Sequence, residues 1–246
     1  MQTMRSSTEV APARPSSTVV LIRPGAEAPE IFMVKRHERS SFGSAYAFPG
    51  GVLEEADSNV HDLCTGLTST NASCLLELDS GGLDYFSAAV RELYEEAGVL
   101  LGNHSLSADE LGEIRNGLNE GVMRWDAFMR DRSLKLQCDQ LHYFSFWITP
   151  DALAKRYSTR FFLAEMPDGQ HASHCGGELT DSCWLSADAV LAASDRGDMR
   201  VHYPTRKTLE NLARFESVPA LRAWAKSCGE VGVKCIYPDA VPSSEQ

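Results

Sequence analysis

What this chain lacks most plainly is long apolar sequence. No run approaches the ~20 residues that a helix needs to cross a bilayer, so no membrane association is expected. The opening MQTMRSSTEVAPARPSST carries no apolar segment of the secretory kind. Its Arg and Ser content has a faint likeness to an organelle transit peptide, but Glu9 and the prolines favour a disordered tail over residues 1–16. The closing PDAVPSSEQ, residues 238–246, reads as a second tail and is no peroxisomal address. Positive charge is also scarce: 23 basic residues face 34 acidic ones, a net charge of -11. Such a surface repels phosphate backbones, which argues against nucleic-acid binding. A small anionic substrate stays compatible, provided that metal ions carry the positive charge. Paired cysteines are missing too. The seven cysteines are odd in number and scattered, without any Cys-x-x-Cys, so neither a zinc ribbon nor a disulfide framework is indicated and the cytoplasm is the simplest setting. HASHC, residues 171–175, gathers two histidines and a cysteine but no further ligands that would close a tetrahedral site.

What is present suits a globular protein. A chain of 246 residues with 43% hydrophobic content forms one domain with elaborations, or at most two small ones. STVVLIR (17–23) and EIFMVKR (30–36) are β-rich runs split by a turn, and read as a hairpin. YAFPGGV follows with a tight Pro-Gly-Gly turn. Residues 58–82 are polar and mixed, and read as a surface insertion between segments that belong together. Leu83, Phe86, Val90, Leu93 and Ala97 recur at helical spacing, Gly98 ends that helix, and GVLL enters a strand. Two short helices are predicted over 107–131, strands over 141–149, 157–166 and 181–185, and helices over 186–197, 205–215 and 219–227. This interleaving favours a mixed-sheet α/β domain.

Within the helix, RELYEEAGV places Glu92, Glu95 and Glu96 on one turn, centred about 140° from the apolar stripe. Like charges at this spacing repel by a few tenths of a kcal/mol per pair. Bulk water or a bound hard cation such as magnesium would each relieve that repulsion. The surrounding residues separate the two. GVLEEAD supplies Gly51 and Asp57, and the later run supplies Arg91, Glu92, Leu93, Glu95, Glu96, Gly98 and Val99. This resembles the Nudix signature: Gly, five residues, Glu, seven residues, then Arg-Glu-apolar-x-Glu-Glu-x-Gly-apolar. Asp57 stands where Glu is usual, and a long insertion replaces the seven-residue spacer. The resemblance spans roughly residues 17–215 and extends to the branch of coenzyme A diphosphatases, in which the signature is likewise interrupted and an HYPT-like stretch follows.

The resemblance implies a Nudix fold, a mixed β-sheet sandwiched between α-helices. The domain would occupy residues 17–215, with a C-terminal helical extension over 216–237. It implies hydrolysis of a diphosphate joined to another moiety, with Mg2+ or Mn2+ held by Glu92, Glu95 and Glu96 and with Asp57 as an outer ligand or a structural cap. Arg91 would orient a glutamate through a bidentate salt bridge. Glu178, in a loop behind two glycines, is the candidate general base. Gly50, Gly51, Arg36 and Arg39 are candidates for substrate binding, and the insert together with residues 141–166 for selectivity. The substrate expected is a small nucleotide diphosphate, coenzyme A or its thioesters first. NADH, ADP-ribose or a nucleotide sugar is the alternative, and a non-catalytic binding module a third reading against which the intact trio argues. Homodimers are common in the superfamily.

Overall fold

The computed structural model describes residues 10–37, 44–177 and 179–238. β1 (Arg14–Arg23) and β2 (Glu30–Arg36) form the expected hairpin, with Ile22 opposite Ile31. Next come β3 (Tyr46–Ala47), β4 (Gly50–Val52) and the single-turn α1 (Glu55–Ser58). The insertion forms β5 (Cys64–Thr65) and α2 (Ser69–Leu75) before the long α3 (Gly82–Ala97). Then follow β6 (Gly102–Asn103), α4 (Ala108–Asn119), α5 (Trp125–Asp131), β7 (Lys135–Gln137), β8 (His142–Ile148), β9 (Tyr157–Glu165) and β10 (Leu179–Ser186). The chain closes with α6 (Ala187–Asp195), α7 (Tyr203–Leu212), α8 (Val218–Val231) and β11 (Cys235–Ile236). Among the described residues no helix is long and apolar enough to cross a membrane.

The main sheet runs β10-β2-β1-β9-β8-β11, with β3 added to β2 and β4 to β1. It is mixed, since β1 lies parallel to β9 while most other neighbours are antiparallel. Its central strands are apolar on both faces, as a sheet covered by helices on both sides requires. Val19 and Leu21 of β1 face the layer of α3, whereas Val20 and Ile22 face α6, α7 and α8. The C-terminal helix is therefore a full layer of the sandwich: Leu221 and Ala225 are buried against the sheet, and β11 extends its edge.

Three expectations need correction. The N-terminal strand begins at Arg14, inside the span read as a tail. Its first residues are tied to β9, with the Arg14 amide donating to the Arg156 carbonyl at 2.9 Å and Arg156 Nη1 donating to the Ala11 carbonyl at 2.7 Å. The GVLL segment is buried, but strand pairing starts only at Gly102. Most consequentially, the insertion is no surface excursion. Val60, Leu63, Ala72 and Leu76 belong to the same core as α3, and β5 joins β7 and β6 in a second small sheet. A side chain at Gly82 would strike the α2 backbone near Ser73 at 2.3 Å, so α2 packs directly on the first turn of α3.

Because Leu76 is only 2% exposed, Leu76→Ala should cost about 2–4 kcal/mol. Urea unfolding should show this as a lower midpoint at unchanged slope. A native midpoint would mean that the insert does not share the core, and replacing 58–82 by a short linker should abolish folding for the same reason.

Candidate active site

The site is built around one guanidinium. α3 ends on Gly98, whose φ of 72° suits glycine and whose amide donates to the Tyr94 carbonyl. Within the helix Arg91 is 2% exposed, and all five of its N–H groups have acceptors. Nε donates to Asp57 Oδ1 at 3.0 Å, and Nη2 donates to Asp57 Oδ2 at 3.1 Å and to the Val52 carbonyl at 2.9 Å. Nη1 donates to Glu92 Oε1 at 2.9 Å and Glu95 Oε2 at 3.1 Å. Burial alone would lower the Arg91 pKa, but Glu92, Asp57 and Glu95 more than reverse it and hold the group above its ordinary value.

Asp57 gives both of its oxygens to Arg91. Its side chain has no exposed surface, and also accepts the Glu54 amide at 2.8 Å and the Ser87 hydroxyl at 3.4 Å. It starts α1 and anchors Arg91, a role for which a carboxylate shorter than Glu is sufficient.

The glycine turn brings the backbone onto the carboxylates. The Gly50 amide donates to Glu96 Oε2 at 2.8 Å, and a Cβ on Gly51 would lie 2.3 Å from Glu92 Oε1. Both glycines therefore belong to the site through close approach. Arg36 reaches the same place: Nη2 donates to the Gly50 carbonyl at 2.7 Å and pairs with Glu96 Oε1 at 3.2 Å. Its visible contacts hold the turn. Arg39 and Glu178 lie outside the described residues, although Cys175 and Gly177, just before Glu178, line the same cleft. In HASHC, His174 Nδ1 meets the Ser182 hydroxyl at 3.0 Å.

These groups open into a cleft of about 1550 Å³ lined by both acidic and basic side chains. Glu54, Glu55, Glu92, Glu95 and Glu96 of α1, its cap and α3 form the acidic end. Burial, reinforced by Glu96 and Glu95, pushes the Glu92 carboxyl up to about 8 against the pull of Arg91. Burial with Glu54 nearby pushes Glu95 up to about 7. Burial and crowding thus favour the neutral forms of Glu92 and Glu95, a tendency that a bound cation would oppose. The oxygens of the trio are of the type that magnesium or manganese prefers, so the donor set fits a hard divalent cation. As the side chains stand, no three His, Cys, Asp or Glu groups among the described residues are gathered closely enough to enclose one.

The rest of the cleft escaped sequence reading. Arg14, Ser16 and Thr18 of β1 line it beside their β9 partners Tyr157, Thr159 and Phe161. Trp147, Lys155, Arg200, His202 and Tyr203 complete this end, with Trp147 and Tyr203 edge to face at 6.0 Å. The period-two polarity of Arg14, Ser16 and Thr18 was the available signal. Of the stretches proposed for selectivity, residues 147–161 reach the cleft, whereas nothing between Asp57 and Val90 lines it.

Comparison with known proteins places these features in context. The NUDIX domain family model matches residues 12–205. The chain is 24% identical over 187 residues to nudix hydrolase 7 of Caenorhabditis elegans, covering 76% of this chain and 56% of that protein. It is 24% identical over 242 residues to the acyl-coenzyme A diphosphatase NUDT19 of Gallus gallus, covering 80% of this chain and 64% of that one. The chain thus spans less than two thirds of the length of these curated relatives. A NUDIX hydrolase crystal structure from Alicyclobacillus acidocaldarius superposes with a TM-score of 0.68 at 23% identity, over 86% of this chain and 96% of that one, which establishes a shared fold.

Arg91→Lys replaces five directed donors by one point charge, and leaves Asp57 and the Val52 carbonyl short of partners. Breaking a buried pair in this way costs about 3–5 kcal/mol. Equilibrium unfolding should show a loss of that size, and unchanged stability would mean that the Asp57 contact contributes little.

Proposed function

This chain belongs to the NUDIX domain family, and from that premise we propose that it hydrolyses the diphosphate of coenzyme A or an acyl-coenzyme A. Water adds to one phosphorus, the P–O–P bridge breaks, and two phosphomonoesters leave: adenosine 3′,5′-bisphosphate and (acyl-)phosphopantetheine. The observation that carries the reading is the carboxylate face of α3, which opens beside the Gly50–Gly51 turn at the acidic end of a nucleotide-sized cleft. The likeness to an acyl-coenzyme A diphosphatase supports the substrate class.

Glu92, Glu95 and Glu96 are the residues that would hold magnesium or manganese, which when bound neutralises diphosphate charge and makes water a better nucleophile. The other roles fall to the chain itself. Arg91 fixes the direction of Glu92 and Glu95. Arg36 and the Gly50 amide hold Glu96, and the bare backbone at Gly51 lets phosphate oxygens come close. Glu178 is assigned to take the proton of the attacking water at its carboxylate. Trp147 and Tyr203 offer apolar ring surface for a base.

Glu95 provides the cleanest test, since among the described residues its side chain bonds to Arg91 alone. With magnesium or manganese, Glu95→Gln should lower kcat by about a hundredfold or more while the melting temperature stays near native. Near-native turnover would remove Glu95 from the site. On a panel of coenzyme A, 3′-dephospho-coenzyme A, ADP-ribose and NADH under one metal, coenzyme A should show the highest kcat/KM. If ADP-ribose or NADH leads, the substrate assignment fails while the diphosphatase chemistry stands.

A further inference from the structure

Two arginines of the cleft differ from the others. Arg91 and Arg36 serve the carboxylates, and Arg124 pairs with Asp126. Among the described residues the guanidinium groups of Arg14 and Arg200 have no hydrogen bond or ion pair, and both line the cleft. In a protein with net charge -11, acidic partners are plentiful. Two unneutralised cations in a concave, partly apolar site focus a positive field there.

Strand pairing sets Arg14 apart from the glycine turn. Thr18 of β1 pairs with Gly50, so that end of the strand adjoins the glycine turn. Arg14 lies four residues earlier on the same face, about 13 Å along the strand at ~3.3 Å per residue. Less the reach of the Arg14 side chain, that interval leaves room for a ribose between a diphosphate at the turn and a second anion at Arg14. Lys155 precedes Tyr157, the strand partner of Arg14, by two residues and also lines the cleft. Arg200 enters from another wall: its carbonyl accepts the Tyr46 amide at 2.8 Å, and the following residues carry the chain to Tyr203 against Trp147.

We propose that Arg14 and Arg200 form a subsite for a phosphomonoester on the ribose of the bound nucleotide, separate from the diphosphate at the glycine turn. The inference rests on the diphosphatase reading above. It moves recognition of that phosphate to this end of the cleft, since the visible contacts of Arg36 hold the turn. A guanidinium–phosphate contact is charge-assisted and two-pronged, and its loss amounts to about 10- to 100-fold in specificity.

The test compares substrates that differ only in the ribose phosphate: coenzyme A against 3′-dephospho-coenzyme A, and NADPH against NADH. The native protein should favour the phosphorylated member of at least one pair by about tenfold or more in kcat/KM. In R14Q/R200Q that ratio should collapse towards one, whereas R214Q, which changes an exposed arginine outside the cleft, should keep it. A native ratio near one in both pairs, or a ratio untouched by R14Q/R200Q, overturns the proposal while hydrolysis itself persists. If none of the four compounds is cleaved, the diphosphatase reading fails and calorimetry without metal decides the subsite. Adenosine 3′,5′-bisphosphate should bind about tenfold or more tighter than AMP, and only while Arg14 and Arg200 are present. Equal affinities would overturn the proposal on that branch.

Discussion

The contact between Arg91 and Asp57 is the constraint on which the site depends. A guanidinium that is nearly sealed from water is tolerable only if its hydrogens are all satisfied and its charge is matched. Asp57 and the Val52 carbonyl meet most of that demand from one side. What remains of the donor fork faces Glu92 and Glu95. The same group that joins α1 to α3 therefore sets the orientation of the Glu92 and Glu95 carboxylates, so stability and site geometry share one set of bonds.

Much of this could be read from the chain, and the exceptions have physical causes. α3, the hairpin and the later helices carry strong periodicity, and the glutamate turn with its glycine stop is compact in sequence. The beginning of β1 was missed because a strand that floors a polar cleft does not look apolar: Arg14, Ser16 and Thr18 turn into the cleft. The insert was misjudged because Val60, Leu63, Ala72 and Leu76 follow no single period, although each is buried. The motif position of Asp57 left an outer ligand and a structural cap both open, and its complete burial against Arg91 favours the structural role. Arg14, Lys155 and Arg200 are far apart in the chain, and tertiary pairing brings them to one cleft.

The cleft also reconciles a contradiction in composition. An acidic protein repels anions on average, yet this cleft also gathers Arg14, Lys155 and Arg200 with the rings of Trp147 and Tyr203. The average charge bears on the outer surface, and a ligand inside the cleft meets the local arrangement.

The parallel pairing of β1 with β9 has a temporal consequence. The floor of the cleft is assembled from the first described strand and one near residue 160, which meet in register from Arg14 and Tyr157 to Ile22 and Glu165. Contacts between such distant segments carry the largest loop-closure entropy and arise late in folding. During synthesis the first hairpin and α3 can form while β9 is still unmade. The groups that would bind a nucleotide thus come together only with this long-range closure, and a nascent chain that already carries the full glutamate motif still lacks the surface against which a substrate could rest.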